Sequence, residues 1–413
     1  MGSQERADIV IVGGGMGGGA LALLASARGR RVILLDRHHP DGLNGAPRGE
    51  LLQPNGLGIL DRLGLLNDLL REDLSRIRRF HFHRIGGPRL VTIDYSTLAP
   101  PFDYTLNGRP AAVMRPLLRR LADAPGVELR WRHEVIGVWR EGARVAGVEA
   151  RTGDRTYRIE AAVVIGADGA ESPVRAAIGL PAKVTVYREG YLTMILPRSP
   201  GFGDDGRYYV GRREILGAFP AGAESLYLFY LWPTGQRKTL EARGLEAFKA
   251  ALSAIDPDLT PSLSALTSWA QVGWRPCVKV VARAWADHGA ALLGDAAHAL
   301  NPHVAQGRNQ ALEDAVALDT VLESCFQAGR FDRGALDPYE RARRHRVEVL
   351  QRLGDEMTFF WNTGNPVIGL IRDRVFATLD RKDDLRAKML AVVGGLSDQP
   401  YTLWERIRAL GWP

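Results

Sequence analysis

The stretch Gly294-Asp295-Ala296-Ala297-His298-Ala299-Leu300-Asn301-Pro302-His303-Val304-Ala305-Gln306-Gly307-Arg308-Asn309-Gln310-Ala311-Leu312-Glu313-Asp314-Ala315 decides how this chain is read. It follows Ala290-Ala291-Leu292-Leu293, an apolar run with the character of a buried strand. It then passes through a Pro-containing loop into amphipathic helical spacing. Asp295 is thereby expected at a strand end, and the backbone N–H groups near Gln306-Gly307-Arg308 at a helix start. A carboxylate so placed can accept hydrogen bonds from ribityl hydroxyls. Amides at a helix start favour negative charge, including charge that develops on a flavin ring. The two features together point to FAD and to oxygen chemistry.

Far upstream, Ile9-Val10-Ile11-Val12 reads as a buried parallel strand. Gly13-Gly14-Gly15-Met16-Gly17-Gly18 then matches G-x-G-x-x-G, a helix runs through residues 20–25, and Val32-Ile33-Leu34-Leu35 is the next strand. Gly13, Gly15 and Gly18 suit a tight turn, close approach to a pyrophosphate and helix–strand packing. Asp36 ends the second strand, where a carboxylate can bind ribose hydroxyls. The glycines alone would fit any tight βα turn; with the strands, the helix and Asp36 they read as a dinucleotide site. A second motif, Ile165-Gly166-Ala167-Asp168-Gly169-Ala170-Glu171-Ser172-Pro173-Val174-Arg175, places Asp168 after the buried strand Val163-Val164-Ile165. An isolated Asp-Gly is ordinarily a hairpin turn. Here the strand before it and the Ser and Arg after it favour a carboxylate that fixes polar groups beside a dinucleotide.

In order and spacing the three motifs resemble the FAD-dependent aromatic hydroxylases of class A, the p-hydroxybenzoate hydroxylase fold, over roughly residues 7–345. The resemblance implies that Asp295 contacts the ribityl chain and that Asp168 helps hold FAD, with NADH or NADPH as a further ligand. It implies that Pro302 and the loop through Gln306, Gly307 and Asn309, after Gly294-Asp295, line the flavin ring. Arg115, taken to open a helix at Met114-Arg115-Pro116, corresponds to an arginine near the ribityl and phosphate groups. Arg48, before Leu51-Leu52-Gln53-Pro54, corresponds to a basic residue of the loop after Asp36, and Val135 to a backbone contact with adenine. Arg48 and Arg115 read as solvated surface charges otherwise. The activity implied is hydroxylation of an electron-rich, aromatic small molecule through a flavin C4a-hydroperoxide, with O2 and NADH or NADPH. No second Gly-rich βαβ unit is present for the nicotinamide cofactor, which is usual in that family. It also leaves room for reduced flavin from an external flavin reductase, and residues 44–54 are faintly similar to alkylquinolone hydroxylases.

The chain departs from the family in its flavin loop. Ala305-Gln306-Gly307 replaces Gly-Gln-Gly, so a methyl group limits the backbone and crowds the flavin side. Arg308 stands where an apolar residue is more common, and either stabilises an anionic reduced flavin or faces solvent. His303 is the preferred candidate to assist a substrate proton, with Arg308 and Pro302 completing the catalytic set. His81, His83, Tyr209 and Tyr230 are weaker candidates, each more readily a packed or exposed polar residue.

The expected architecture is α/β, with a Rossmann-like FAD-binding domain interrupted by a mostly antiparallel β substrate domain and followed by a helical C-terminal region. The FAD-binding part is placed at residues 4–75, 104–180 and 278–345, the β part at 76–103 and 181–277, and the helical region at 346–413. One helix is expected near 241–254 in the β part. Strands are expected at Thr156–Glu160 and, separately, Val163-Val164-Ile165; the tail is expected to hold short helices. Its segments Phe359-Phe360-Trp361 and Val367–Phe376 read first as helix covering the core, with a partner or membrane-surface patch as the alternative.

Composition agrees with a folded enzyme. The chain has 413 residues, 46% apolar and 24% charged, with a net charge of +7. Arginines are scattered among acids without interleaved aromatics, which argues against nucleic acid and for anionic small molecules. Cys277 and Cys325 form neither a metal cluster nor a disulfide framework, and no metal ligands are expected. The polar start Met1–Arg6 is no signal peptide or myristoylation site, and no apolar run is long enough to cross a membrane, so a cytoplasmic location is expected. Oligomeric state stays open. There is no H-E-x-x-H and no Ser–His–Asp order. A tryptophan-type halogenase would carry Trp-x-Trp-x-Ile-Pro, which is absent. Other same-fold halogenases or alkene reductases, and a non-catalytic flavin-binding redox sensor, remain alternatives to the hydroxylase.

Overall fold

The computed structural model describes residues 5–411; the expectations for Met1–Gln4 lie outside them. Strand Glu5–Val12 forms the centre of an eight-stranded sheet. It pairs in parallel with Val32–Asp36 on one side and Arg155–Gly166 on the other. Val127–Trp131 extends the sheet beyond Val32–Asp36, and Ala290–Leu292 beyond Arg155–Gly166, both in parallel. Such strands lose water on both faces, which explains the unbroken apolar runs: Val10, Ile11, Ile33 and Leu34 are fully buried. Helix Met16–Ala27 packs on helices Pro110–Ala122 and Gly307–Ala328.

Residues 155–166 form one strand, where the sequence suggested two. Nothing between Glu160 and Val163 breaks a strand, since Ala161 and Ala162 are neither Gly nor Pro. Residues 155–160 also pair antiparallel with Arg144–Thr152, which pairs in turn with Glu134–Glu141.

A seven-stranded sheet carries the remainder of the β structure. Its order is Gly273–Ala282, Ala182–Pro197, Ser225–Pro233, Ile215–Pro220, Gly206–Val210, Arg79–Arg84, Arg89–Asp94. All neighbours are antiparallel except Gly206–Val210 with Arg79–Arg84. Alternation divides its faces. Leu192, Met194 and Leu228 pack with Phe248 and Leu252 of a helical layer. That layer holds two helices, Arg237–Arg243 and Leu245–Ile255, rather than one, because Gly244 between them has φ +88. The opposite face presents Phe80, Phe82, Phe219 and Phe229 to the C-terminal helices. A small sheet of Glu50–Leu52, Thr105–Gly108 and Leu74–Ile77 joins this one through Asn107, whose amide donates to the Pro220 carbonyl at 2.7 Å.

Helix Arg333–Trp361 covers the helical spacing read at residues 337–360, and the tail beyond it holds helices Pro366–Arg381, Asp383–Val393 and Leu403–Ala409. Trp361 and Phe376 cover the core, with ring centroids 5.4 and 5.5 Å from that of Phe82. Phe359, Val367 and Leu370 of the same segments face outward and are exposed. Among the described residues no helix is long and apolar enough to cross a membrane.

Candidate active site

The glycine loop lies against the second motif. A Cβ on Gly13, at φ +110, would stand 2.2 Å from the Ala167 carbonyl oxygen, and one on Gly18 would stand 2.1 Å from that of Gly13. Gly15 meets nothing within 4 Å, so its flank is open to a ligand. Asp36 accepts from the Gly14 N–H and the His38 N–H, each at 2.7 Å. Trp131 stands opposite Asp36 in the strand register and closes over Gly14. The sequence reading missed Trp131; the parallel register of Val127–Trp131 with Val32–Asp36 is the signal that finds it. Val135 is buried on the adjoining hairpin.

Asp168-Gly169 turns from strand into helix, not into a hairpin. The Asp168 carboxylate accepts from the Ser172 hydroxyl and from the Val174 N–H at 2.9 Å, which holds the first turn of helix Pro173–Ala177. Burial raises its pKa against these donors. Arg175 then donates to the Ala296 carbonyl at 2.7 Å, which ties this motif to the turn at Gly294-Asp295. Gly294 caps the turn Asp295–His298, as expected of a strand end. The Gly294 N–H donates to Asp314, which also pairs with His298 at 2.6 Å and Arg343 at 2.9 Å. Asp314 is wholly buried, yet His298 and Arg343 overcome that burial and hold its pKa down at about 2. Asp295 has a different environment. It is exposed to the cleft between the motifs, no side-chain or backbone donor among the described residues binds it, and desolvation raises its pKa.

Pro302 opens the single turn Pro302–Val304 and is exposed, while His303 turns inward. Ala305 has φ +50, so the loop keeps the left-handed bend that glycine would adopt more easily. Helix Gly307–Ala328 starts where the sequence placed it. Gln310 N–H, bonded to the Gln306 carbonyl at 2.8 Å, follows a first turn whose amides have no intrahelical acceptor. The side chains of Gln306 and Asn309 are committed elsewhere. Gln306 donates to Val393 O at 2.6 Å, and Asn309 bridges Gln53 N–H and Ala305 O. Their contribution to the cleft is therefore backbone.

Arg308 neither stands free over the cleft nor faces solvent. It pairs with Glu50 at 2.7 Å, and Arg48 pairs with the same carboxylate at 2.8 Å. Burial opposes ionisation of Glu50, but the two guanidiniums prevail and lower its pKa. Glu50 carried no motif signal. Arg115 does not open its helix, which begins at Pro110; it lies in the second turn and pairs with Glu72. Pro110 rather than Pro116 supplies the start, because proline is favoured at the first helical position.

Beside the loop, Phe80, Phe82, Tyr95, Tyr208, Trp361 and Phe376 line a cavity that reaches His303, Val304 and Ala305. Phe82 and Tyr208 stack at 4.4 Å. Among the described residues no Lys, Arg, Asp or Glu lines it. Of the histidine and tyrosine candidates only His303 is here. His81 is held by Thr92 and Asp205, His83 stacks on Tyr209, and Tyr209 and Tyr230 donate to Asp256 and Glu214. Those groups occupy the opposite sheet face.

An open glycine flank, an unsatisfied carboxylate at a strand end and an unbonded helix start define a dinucleotide-binding flavoprotein, and these residues fit FAD. Residues 6–353 match the family model described as FAD binding domain. The chain belongs to this family, the class A FAD-dependent monooxygenases, and is an oxidoreductase with FAD as cofactor. It is 30% identical over 348 residues to 6-methylpretetramide 4-monooxygenase of Streptomyces rimosus, covering 84% of this chain and 82% of that one. It is 27% identical to the 2-heptyl-3-hydroxy-4(1H)-quinolone synthase of Mycobacteroides abscessus, covering 89% and 96%. The fold matches p-nitrophenol 4-monooxygenase of Pseudomonas putida with TM-score 0.81 at 21% identity, covering 96% and 100%.

Proposed function

We propose that this enzyme hydroxylates an electron-rich aromatic small molecule held in the cavity between the seven-stranded sheet and the C-terminal helices. The observation that carries this reading is that an aromatic cavity ends on His303 and Ala305, in the loop that leads to the open helix start at Gly307. Relatives whose names specify ring compounds support it.

In this reading Gly13, Gly15, Gly18, Asp36 and Val135 hold the adenosine and pyrophosphate end of FAD, with Asp168 supporting the turn beside it. Asp295 accepts from the ribityl chain, and the backbone amides of Gln306, Gly307 and Asn309 donate to the flavin ring. Arg48 and Arg115 add positive charge, and Pro302 lines the ring. FAD held by these residues would supply, when reduced, the two electrons with which O2 gives one oxygen atom to the substrate and the other to water. Glu50 balances Arg308, which limits the positive charge near the ring. The aromatic walls exclude water and orient the substrate. The proposed domain division follows: a discontinuous nucleotide-binding part, a β part over it and a helical cover.

Electrons come from NADH or NADPH, or as reduced flavin from a separate reductase. Product formation from each source under O2, followed by mass spectrometry, separates the two routes. Purified protein should show flavin absorbance or bind added FAD. Asp295→Ala should weaken FAD roughly tenfold to a hundredfold, the cost of losing hydrogen bonds to a charged group. Unchanged affinity in that variant would overturn the role of Asp295. Reduced cofactor oxidised without hydroxylated product or peroxide would count against a monooxygenase.

A further inference from the structure

A second cavity lies inside the C-terminal region, between helices Arg333–Trp361 and Asp383–Val393 and the segment that leads into Leu403–Ala409. It measures about 170 Å³, against about 60 Å³ for the aromatic cavity. Val349, Leu353, Met389 and Val392 form its apolar wall. Met389 lines the aromatic cavity as well. Its neighbours divide between the two. Val392 lines the second cavity and Val393 the aromatic one, and on the other helix Leu353 lines the second cavity and Met357 the aromatic one. The cavities therefore stand back to back, with the Met389 side chain between them. Methionine is unbranched and turns about several bonds, so this partition yields more cheaply than a valine or leucine would.

The charged groups at the second cavity do not call for an ionic ligand. Lys388 pairs with Glu405 at 2.7 Å and Arg406 with Glu356 at 2.8 Å. Arg352 has no ion-pair partner among the described residues, but it is exposed, where water and salt screen its charge. What remains for a ligand is the apolar wall, in which Val349 and Val392 are buried. Apolar atoms that enter gain by leaving water, whereas a charge would leave water without a free buried partner.

We infer that the second cavity is a substrate subsite, reached past Met389, that takes an unbranched apolar substituent of the aromatic ring held in the first. This rests on the proposed reading of the aromatic cavity as the substrate site. Met389 is then a specificity-determining residue. It turns aside for a flexible chain, and a branched or charged substituent is refused there. The C-terminal helices gain a role besides covering the sheet, because the space between them sets the length of substituent that the enzyme accepts.

The test is photolabelling of the FAD-loaded enzyme with 4-heptylphenol that carries a diazirine near the end of its chain, followed by peptide mass spectrometry. Labels should fall on Val349, Leu353 or Val392 and should be competed away by unmodified 4-heptylphenol. Labels elsewhere, as on Phe80, Phe82 or Tyr208, or labels that are not competed away, overturn the inference. Calorimetric titration with 4-methylphenol, 4-butylphenol and 4-heptylphenol gives a second readout. Affinity should tighten by about fourfold for each added methylene, the worth of its burial, and a plateau at butyl overturns the inference. Leu353→Phe, which fills the second cavity, should cut the gain from methyl to heptyl by about fifteenfold, the worth of roughly two buried methylenes. The labels and the chain-length series are read on the unaltered enzyme, so they decide the matter even where the variant does not fold. If 4-methylphenol itself does not bind, the reading of the aromatic cavity fails and the inference with it. Binding of 4-methylphenol with labels outside the second cavity defeats the inference alone.

Discussion

Burial lowers the His303 pKa from the usual value near 6.5 to about 4, and Asn362 offsets only part of that. Between these values the unfolded chain binds a proton that the folded chain refuses. Stability therefore falls as the pH drops from about 6.5 to about 4, by about 3 kcal/mol in all. His303→Phe removes this contribution. Its melting temperature should fall less steeply than that of the unaltered protein between about pH 7 and about pH 4.5, and parallel slopes would contradict the assignment. His303 was legible from its place in the flavin loop. Its protonation was not, because Tyr191 and Asn362 lie 112 and 59 residues away in sequence. Glu50 was illegible for the same reason: its meaning comes from Arg308, on another element.

Helix Gly307–Ala328 shows how an element positions chemistry at its start by burying charge further along. Asp314 reaches back to the Gly294 N–H and is matched by Arg343 from helix Arg333–Trp361. Removing one partner from such a buried network leaves the other charge uncompensated. Asp314→Asn should cost about 3–5 kcal/mol in urea unfolding. Because its pKa is lowered to about 2, the stability it contributes is present above the ordinary carboxylate range near 3.9 and is lost as the pH falls toward 2. A loss below 1 kcal/mol in the variant would mean that the network is solvated. The helix itself was legible from its spacing; the purpose of Asp314 required the neighbouring helix.

At the scale of the molecule, the seven-stranded sheet and the tail meet at Phe82, Trp361 and Phe376. This junction makes the tail part of the cavity wall. Phe376→Ala should destabilise the protein by about 3–5 kcal/mol, measured by chemical denaturation, because it leaves a void between layers. A near-neutral result would show that the tail packs independently of the sheet.

The sequence by itself determined the nucleotide-binding half, the glycine loop, Asp168, Asp295 and the helix start, because each depends on short-range chemistry: strand periodicity, turn residues and amide geometry within one βα unit. Only the tertiary structure decided the balance at Arg308, the packing of Trp131 over Gly14, and the cavity that Trp361 and Phe376 close over His303. These depend on contacts between residues far apart in the chain, and a carboxylate or an aromatic ring carries no local mark of the distant group that will meet it.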